Sequence, residues 1–268
     1  MTRWPYFVRI PALRRALIVA GLLFALVAGT GLAQNTSRSS DMPRQQFQIA
    51  RLIYDSYGMD SRARWRDWWA IDYPEAEYHF IKGIRRLTRL DTADDSIHLR
   101  ATDPQLLDYP WLFAQQVGRW HLSDQEADAL REYLLRGGFL VADDFHGPAQ
   151  YQVFLESMRR VFPDREIVDL PANDQILHVT YDISERTQIP GKRHLYRLPG
   201  GGIGVDPEGS PPTWRGIFDD HGHLMVVMNF NMDMGDSWEH ADDPDYPQEM
   251  TALGYRFGIN YIMYAMTH

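Results

Sequence analysis

The stretch Leu130–Pro148, LREYLLRGGFLVADDFHGP, decides the fold of this chain. Its first part carries apolar residues at helical spacing and ends at Gly137-Gly138, a pair typical of a helix C-terminus. The uninterrupted apolar run FLVA, residues 139–142, is typical of a strand buried on both faces of a parallel sheet. A second amphipathic segment follows from Tyr151 to Val161. This helix–strand–helix alternation predicts an α/β fold with an open, mostly parallel sheet.

Segments on both sides of this unit continue the pattern. The runs FQIARLIYD (47–55) and HLMVVMNF (223–230) predict two more buried strands, and residues 247–266 predict a closing helix. The Pro/Gly-rich segment 198–212 is predicted to be a loop excursion. Two residue pairs have the spacing of a helix-capping box and so predict helix starts: Ser123 with Glu126, and Asp72 with Glu75. The helix expected after Asp72, with Pro74 in its first turn, has an apolar stripe made of Phe80, Ile81, Ile84 and Leu87.

Each of these three strands runs into a polar segment at its carboxyl end. The first ends in Tyr54-Asp55, the second in Asp143-Asp144-Phe145-His146, and the third in NFNMDMGDSWEH, residues 229–240. In open α/β sheets, ligands bind outside the carboxyl ends of the strands, near the point where the strand order reverses. If the strands are parallel neighbours, we expect the three segments to converge on one ligand-binding site.

The adjacent residues Asp143 and Asp144 have two competing explanations. Aspartates after a strand often hold a turn or cap the next helix, and the helix expected near Ala149 needs such a cap. Two neighbouring carboxylates are harder to explain as caps, because they point to different sides of the chain. A close carboxylate pair also raises one pKa, an arrangement that acid–base chemistry uses. We assign Asp143 to the structural role and Asp144, which is nearer His146, to the functional role.

The third polar segment offers oxygen-bearing side chains. In extended backbone, Asn229, Asn231 and Asp233 share one face, and such side chains can coordinate Ca²⁺. The segment does not match an EF-hand loop, because its glycine is the seventh residue rather than the sixth and its twelfth residue is His240. We therefore expect these side chains to hydrogen-bond a polar ligand, with Trp238 as a stacking platform.

The histidines and the lack of cysteine limit the chemistry. No histidine pair has metal-ligand spacing on a helix and no thiolate is available, so no metal and no cofactor are expected. His178 is a candidate for the site, although a lone histidine near apolar residues is more often a core residue. His221 and His223 flank Gly222 in a predicted hairpin turn, where a structural role is expected. The sequence contains no nucleophile elbow, P-loop or dinucleotide fingerprint.

Residues 1–33 have the pattern of an export signal. Four arginines and no acid accompany the uncharged run Ala16 to Ala33, and Gly31-Leu32-Ala33 offers small residues for signal peptidase. We expect a periplasmic or otherwise exported protein that starts near Gln34 and does not insert into the membrane after cleavage. The alternative is an uncleaved N-terminal anchor that leaves the protein facing the periplasm. Residues 34–46 are predicted to be a linker, and residues 47–268 a single domain.

The charge of the chain limits the classes of partner that it is expected to bind. Residues 1–33 contain four of the 27 Lys and Arg residues and no acid, so their removal changes the net charge from −9 to −13 with histidine neutral. No Lys/Arg cluster remains to follow a phosphate backbone, which argues against nucleic acid, and the acidic balance argues against anionic membrane surfaces. The expected partner is a polar small molecule or an envelope protein.

Several segments together resemble the bacterial domain-of-unknown-function family 4159 across residues 47–268. They are FQIARLIYD, DYPEAEYHF, LSDQEADALREYLLRGGFLVADDFHG, DMGDSWE and GINYIMYAMTH. That family looks related to the class I glutamine-amidotransferase-like folds. The resemblance therefore implies a flavodoxin-like three-layer fold and no established activity. Amidotransferases of this fold use a cysteine nucleophile, and the lack of cysteine here excludes that chemistry.

Three functions follow from these observations. The leading one is an exported domain that binds a polar ligand, a carbohydrate or a cell-wall fragment, without covalent catalysis. The second is a hydrolase, metal-assisted in one version, with Asp143 or Asp144 as general base and His146 or His178 as its partner. The third is a cell-envelope scaffold or assembly component that holds a partner protein through its acidic surface and aromatic loops.

Overall fold

The computed structural model describes residues 46–56, 67–184, 187–199, 203–205 and 212–268. The predicted export signal, nearly all of the predicted linker and most of the Pro/Gly-rich excursion lie outside these residues. The strands, in chain order, are β1 (Ala50–Ile53), β2 (Asp55–Ser56), β3 (Ile97–Arg100), β4 (Trp111–Ala114), β5 (Trp120–His121), β6 (Phe139–Phe145), β7 (Val168–Asp169), β8 (Leu195–Arg197), β9 (Ile203–Val205), β10 (Thr213–Phe218) and β11 (Leu224–Phe230). The longer helices are α1 (Glu75–Leu87), α2 (Asp124–Leu135), α3 (Gly147–Val161), α4 (Met234–Glu239) and α5 (Gln248–Thr267).

A seven-stranded, mostly parallel sheet lies at the centre, which confirms the predicted α/β class. Its order is β3-β1-β4-β6-β11-β10-β7. The first five strands are parallel, and β10 runs antiparallel to both β11 and β7. Numbered along the chain, the five parallel strands therefore have the order 2-1-3-4-5. The short pairs β2–β5 and β8–β9 form separate ladders.

Helices cover both faces of the sheet because alternate residues of the central strands are apolar on both sides. On β6, Leu140 and Ala142 belong to a core shared with α2 and α3, whereas Phe139 and Val141 belong to a core shared with α1 and α5. The all-apolar run FLVA is thus buried on both faces, as predicted. In the described part of the chain, no helix combines the length and apolar character that a membrane span requires.

Tertiary contacts decide how the predicted helices begin. The capping box of Ser123 and Glu126 is confirmed: each side chain accepts a hydrogen bond from the other residue's backbone N–H. The box predicted from Asp72 is wrong, because α1 has Pro74 at its N-cap and no side-chain cap. Asp72 instead adopts a left-handed backbone with φ of 63°. The predicted apolar stripe holds for Phe80, Ile81 and Ile84, whereas Leu87 is exposed.

Strand β6 continues through both aspartates to Phe145, further than the sequence pattern indicated. The prediction that one of these aspartates caps the next helix is wrong. Helix α3 starts at Gly147 without a side-chain cap from its N-cap residue, and the Gly147 N–H donates to Asn231 Oδ1 at 2.9 Å. The hairpin predicted around Gly222 is present between β10 and β11, with φ of 82° at this glycine.

Candidate functional site

Left-handed backbone marks the carboxyl edge of the sheet. Gln116, Asp144 and Asn231 follow or end β4, β6 and β11, three adjacent strands, and have φ values of 50°, 52° and 59°. With Asp72, they are the non-glycine residues with positive φ in the described part of the chain. Such backbone is sparsely populated and clusters at functional sites. The sheet edge predicted to hold the site is therefore also where unusual backbone accumulates.

A cavity of about 730 Å³ opens at this edge. Its volume is in the range of about 300–1,000 Å³ that is usual for small-molecule sites. The cavity is strongly acidic, with Lys192 and Arg193 as its basic residues. The lining residues are Asp67, Trp68, Ala70, Ile71, Asp72, Tyr73, Gln116, Asp144, Lys192, Arg193, Asp233, Asp236, Glu239 and His240.

Asp143 does not line this cavity, and its carboxylate instead accepts hydrogen bonds from the protein itself. It is fully buried, its Oδ2 accepts the N–H groups of Met234 and Gly235 at 2.8 and 3.1 Å, and its Oδ1 accepts Asn229 Nδ2 at 3.1 Å. Burial and the neighbouring Asp144 raise the pKa of Asp143 to about 8, against the effect of these donated hydrogen bonds. This carboxyl group therefore joins the end of β6 to the start of α4.

Asp144 forms a buried pair with His146. Its Oδ1 lies 3.0 Å from His146 Nε2, and its Oδ2 accepts a hydrogen bond from the Gln116 amide. The His146 ring lies 4.8 Å, centroid to centroid, from the His194 ring. A histidine oriented by a carboxylate is the arrangement that general-base chemistry uses.

The start of α4 places two more carboxylates at the cavity. Asp233 is the N-cap residue of α4, and its Oδ1 accepts the Asp236 N–H at 2.9 Å. Asp236 Oδ2 in turn accepts the Lys192 N–H at 2.7 Å, which holds the 191–194 segment against the cavity. Gly191 permits this close approach, because a Cβ there would lie 2.7 Å from Asp233 Oδ2.

A buried ion pair supports the opposite wall. Arg51 of β1 is fully buried, pairs with Glu77 of α1, and donates to the carbonyls of Trp69 and Ile71 at 2.9 and 3.0 Å. It also donates to Gln115 Oε1 at 2.7 Å. The Gln115 amide in turn donates to Asp72. Through these contacts, Arg51 fixes the loop that carries Asp72 into the cavity.

The electrostatics of the cavity favour bound protons or bound cations. Burial, and the carboxylates around them, raise the pKa of both Asp72 and Asp233 well above the ordinary range. Burial and Asp236 likewise raise the pKa of Glu239 to about 7. In each case, removal of negative charge or arrival of positive charge would relieve the repulsion.

Three overlapping groups of side chains have ligand atoms within 4.8 Å of one another. They are Asp144–His146–Asp233, Asp72–Asp233–Asp236 and Asp236–Glu239–His240. Asp233 and Asp236 are each shared by two groups. The sequence-based expectation of no metal rested on the lack of cysteine and on histidine spacing along one helix, whereas these oxygen and nitrogen atoms come from separate segments of the chain.

Comparison with the profiles of known protein families identifies the family of this chain. The profile of a domain of unknown function, DUF4159, matches residues 48–266. The chain belongs to the DUF4159 family. The match covers β1 through nearly all of α5 and includes every residue that lines the cavity. No curated protein matches the chain.

The DUF4159 domain brings only some of the sequence-predicted site residues together. Asp144 and Asp233 line the cavity, and His146 lies behind Asp144. Tyr54 is buried and does not line the cavity, and its hydroxyl donates to the Gln115 carbonyl at 2.6 Å. Asp55 is exposed and pairs with Arg100 at 2.9 Å, away from the cavity.

The remaining predicted residues of the DUF4159 domain have other contacts. His178 binds Asp182 and the Ala172 carbonyl in a surface turn. Asn229 and Asn231 do not share a ligand-facing side with Asp233, because the strand ends at Phe230 and the chain turns at Asn231. The expected role of Trp238 as a stacking platform for a ligand is wrong. Its ring is buried in the core and stacks on Phe80 at 3.9 Å.

Sequence reasoning missed several residues of the DUF4159 cavity. Gln116 was detectable, because WLFAQQ (111–116) repeats the pattern of an apolar run followed by polar residues that identified Asp143 and Asp144. Asp72 was assigned to a helix cap. Asp236 lies inside the third polar segment but was not singled out there. Lys192 and Arg193 had no local signal, because only tertiary packing brings their segment to α4.

Proposed function

We propose that this DUF4159 domain binds a small polar ligand in the cavity, of the carbohydrate or cell-wall-fragment class, without covalent attachment to the chain. The supporting observation is the combination of carboxylates with the aromatic residues Trp68 and Tyr73 around one cavity of about 730 Å³. Polar groups that fix orientation beside apolar contact surface are the usual composition of a ligand site.

We also propose that the fold is flavodoxin-like, with three layers, as the resemblance to class I glutamine-amidotransferase-like proteins implies. The parallel-strand order 2-1-3-4-5 supports this, since it is the order of flavodoxin-like sheets. In such sheets the ligand site lies where the strand order reverses. That point is the β1/β4 boundary here, and residues that follow both strands, such as Asp72 and Gln116, line the cavity.

The acidic lining indicates the ligand's charge. Six carboxylates and two basic residues line the cavity, so a ligand that carries an amine beside its hydroxyl groups fits better than an anion. Thermal shift and calorimetric titration with a neutral sugar, its 2-amino derivative and its N-acetyl derivative would test this. We expect the amino sugar to bind most tightly and Asp144→Asn to weaken its binding at least tenfold.

The matched control is Asp128→Asn, which removes an equal charge from the exposed face of α2 and should leave binding unchanged. If none of the three sugars binds, or if both variants lose the same affinity, the carbohydrate proposal fails.

A hydrolase is the second candidate, because Asp144 and His146 form a buried carboxylate–histidine pair at 3.0 Å. In that function Asp144, which lines the cavity, acts as general base, and His146 orients it. Hydrolysis of chromogenic esters or glycosides that is lost in His146→Gln and kept in His178→Gln would support it. Equal activity in both variants would exclude this pair as the catalytic group.

We further propose that residues 1–33 direct export and are removed, which places the domain in the periplasm or outside the cell. The arginines, the uncharged run and Gly31-Leu32-Ala33 support this. N-terminal sequencing of the exported protein should give a start near Gln34. A start at Met1 or Thr2 would replace cleavage with an N-terminal anchor.

A further inference from the structure

We propose that Asp144, His146 and Asp233 form a binding site for one divalent cation in the cavity. Their ligand atoms lie within 4.8 Å of one another, and all three residues are buried. They come from the end of β6, the residue before α3 and the residue before α4. Two carboxylate oxygens and one imidazole nitrogen suit Mn²⁺ or Zn²⁺ better than Ca²⁺, which prefers oxygen ligands alone.

The burial of Asp233 also favours a bound cation. Its Oδ1 accepts the Asp236 N–H at 2.9 Å, and the residue is only 4% exposed. A buried carboxylate is costly unless hydrogen bonds or a positive charge compensate it. Because Asp233 also lines the cavity, a cation beside Asp144 would offset the negative charge of this carboxylate.

Gly191 keeps the space beside Asp233 Oδ2 open. Its backbone, with φ of −63° and ψ of 148°, is accessible to any residue, so the turn itself does not require glycine. A Cβ at this position would lie 2.7 Å from Asp233 Oδ2 and 3.2 Å from Asp236 Oδ2. The lack of a side chain here therefore keeps the Asp233 carboxylate clear.

The two neighbouring groups of ligands are weaker candidates. Both include Asp236, whose Oδ2 already accepts the Lys192 N–H at 2.7 Å. Asp72 already accepts a hydrogen bond from the Gln115 amide. Their members are also less buried than Asp144, His146 and Asp233 as a set. The proposal reverses the sequence-based expectation of no transition metal.

The test uses Mn²⁺ alone, so its failure would leave the carbohydrate proposal intact. The full chain is stripped with a chelator, dialysed and titrated with Mn²⁺, and the free ion is measured by electron paramagnetic resonance. We expect one saturable site per chain. Its affinity should rise from pH 5 to pH 8, because a cation binds the deprotonated forms of its carboxyl and imidazole ligands. Pulsed resonance should detect coupling to one imidazole ¹⁴N nucleus.

Matched variants locate the ion. Asp233→Asn and His146→Gln should weaken binding at least tenfold, and His146→Gln should abolish the ¹⁴N coupling. His194→Gln should keep that coupling, although its ring lies only 4.8 Å from His146. Asp67→Asn removes a charge from the cavity lining outside the three-residue site and should change affinity less than twofold.

Three results would overturn the proposal. The first is no saturable binding of Mn²⁺ by the wild-type chain. The second is an equal loss of Mn²⁺ affinity in Asp67→Asn and Asp233→Asn. The third is unchanged Mn²⁺ affinity and ¹⁴N coupling in His146→Gln, together with loss of binding in Asp236→Asn. The last result would move the cation to a neighbouring group. If a variant does not fold, as judged by near-ultraviolet circular dichroism, the wild-type titration and its ¹⁴N signal decide the question.

Discussion

Replacement of Asp143 by alanine should destabilise the domain by much more than replacement of Asp144 by asparagine. In Asp143→Ala, the Met234 and Gly235 N–H groups and the Asn229 amide all lose a buried acceptor. A buried donor left without an acceptor costs about 1–3 kcal/mol. Here two main-chain donors and one side-chain donor lose their acceptor, and the relief of repulsion from Asp144 offsets part of this cost. The free energy of unfolding should therefore fall by roughly 3 kcal/mol or more. That exceeds the roughly 0.5–2 kcal/mol of an ordinary helix cap.

Asp144→Asn should change stability by less than about 0.5 kcal/mol or should be stabilising. Asparagine tolerates the left-handed backbone at φ of 52° and keeps one oxygen as an acceptor. The substitution also removes a negative charge that raises the pKa of Asp143 and Asp233. Asp144→Ala is the informative comparison, because it adds a left-handed penalty of about 1–2 kcal/mol.

The measurement is urea unfolding at pH 7, followed by tryptophan fluorescence, with midpoints and slopes compared among the wild type and the three variants. Asp143→Asn serves as a control, because its amide oxygen can still accept the two α4 N–H groups and should preserve most of the stability. A cost below about 1 kcal/mol for Asp143→Ala, or an equal cost for Asp144→Asn, would refute this division of roles.

Three further perturbations test other parts of the site. Gly235→Ala should lower Tm in a thermal scan and abolish ligand binding, because its Cβ would lie 1.6 Å from Gln115 Nε2; an unchanged Tm would contradict this packing. Arg51→Met should cost about 3–5 kcal/mol in urea unfolding by leaving Glu77 buried without a partner, and Arg51→Met/Glu77→Leu should recover most of that loss. The ligand-free domain should lose stability in urea as pH rises from about 4 to about 8, because carboxyls such as Glu239, with a pKa of about 7, hold protons in the folded state that the unfolded chain releases. Stability that rises across this range would contradict the raised pKa values.

The sequence predicted the sheet well because a strand that is buried on both faces is a run of consecutive apolar residues. The run FLVA is a strand that is buried on both faces. Ser123 and Glu126 form the capping box that their spacing indicated. Asp72 and Glu75 have the same spacing and form no box. There a distant group, the Gln115 amide, binds Asp72, and the backbone turns left-handed. Long-range hydrogen bonds overrode the local pattern at this position.

The candidate site was predictable only where it follows strands. Asp144 lies near the end of β6 and Asp233 follows β11, so the rule for open sheets located them. Lys192 reaches the cavity through its N–H bond to Asp236, a contact across 44 residues that no local pattern encodes. Trp238 illustrates the opposite error, since an aromatic residue in a polar segment was taken for a ligand contact and is a core residue.

The two adjacent aspartates have different roles because β6 remains a strand through both. Asp143 continues the series of Phe139 and Val141, which faces the core shared with α1 and α5. Helix α4 starts on that side, so Asp143 meets its free N–H groups. Asp233 immediately precedes α4, and the position of α4 therefore sets the position of Asp233 beside Asp144. The buried carboxylate of Asp143, which contacts only the protein itself, thus holds two carboxylates of the cavity lining close together, against their mutual repulsion.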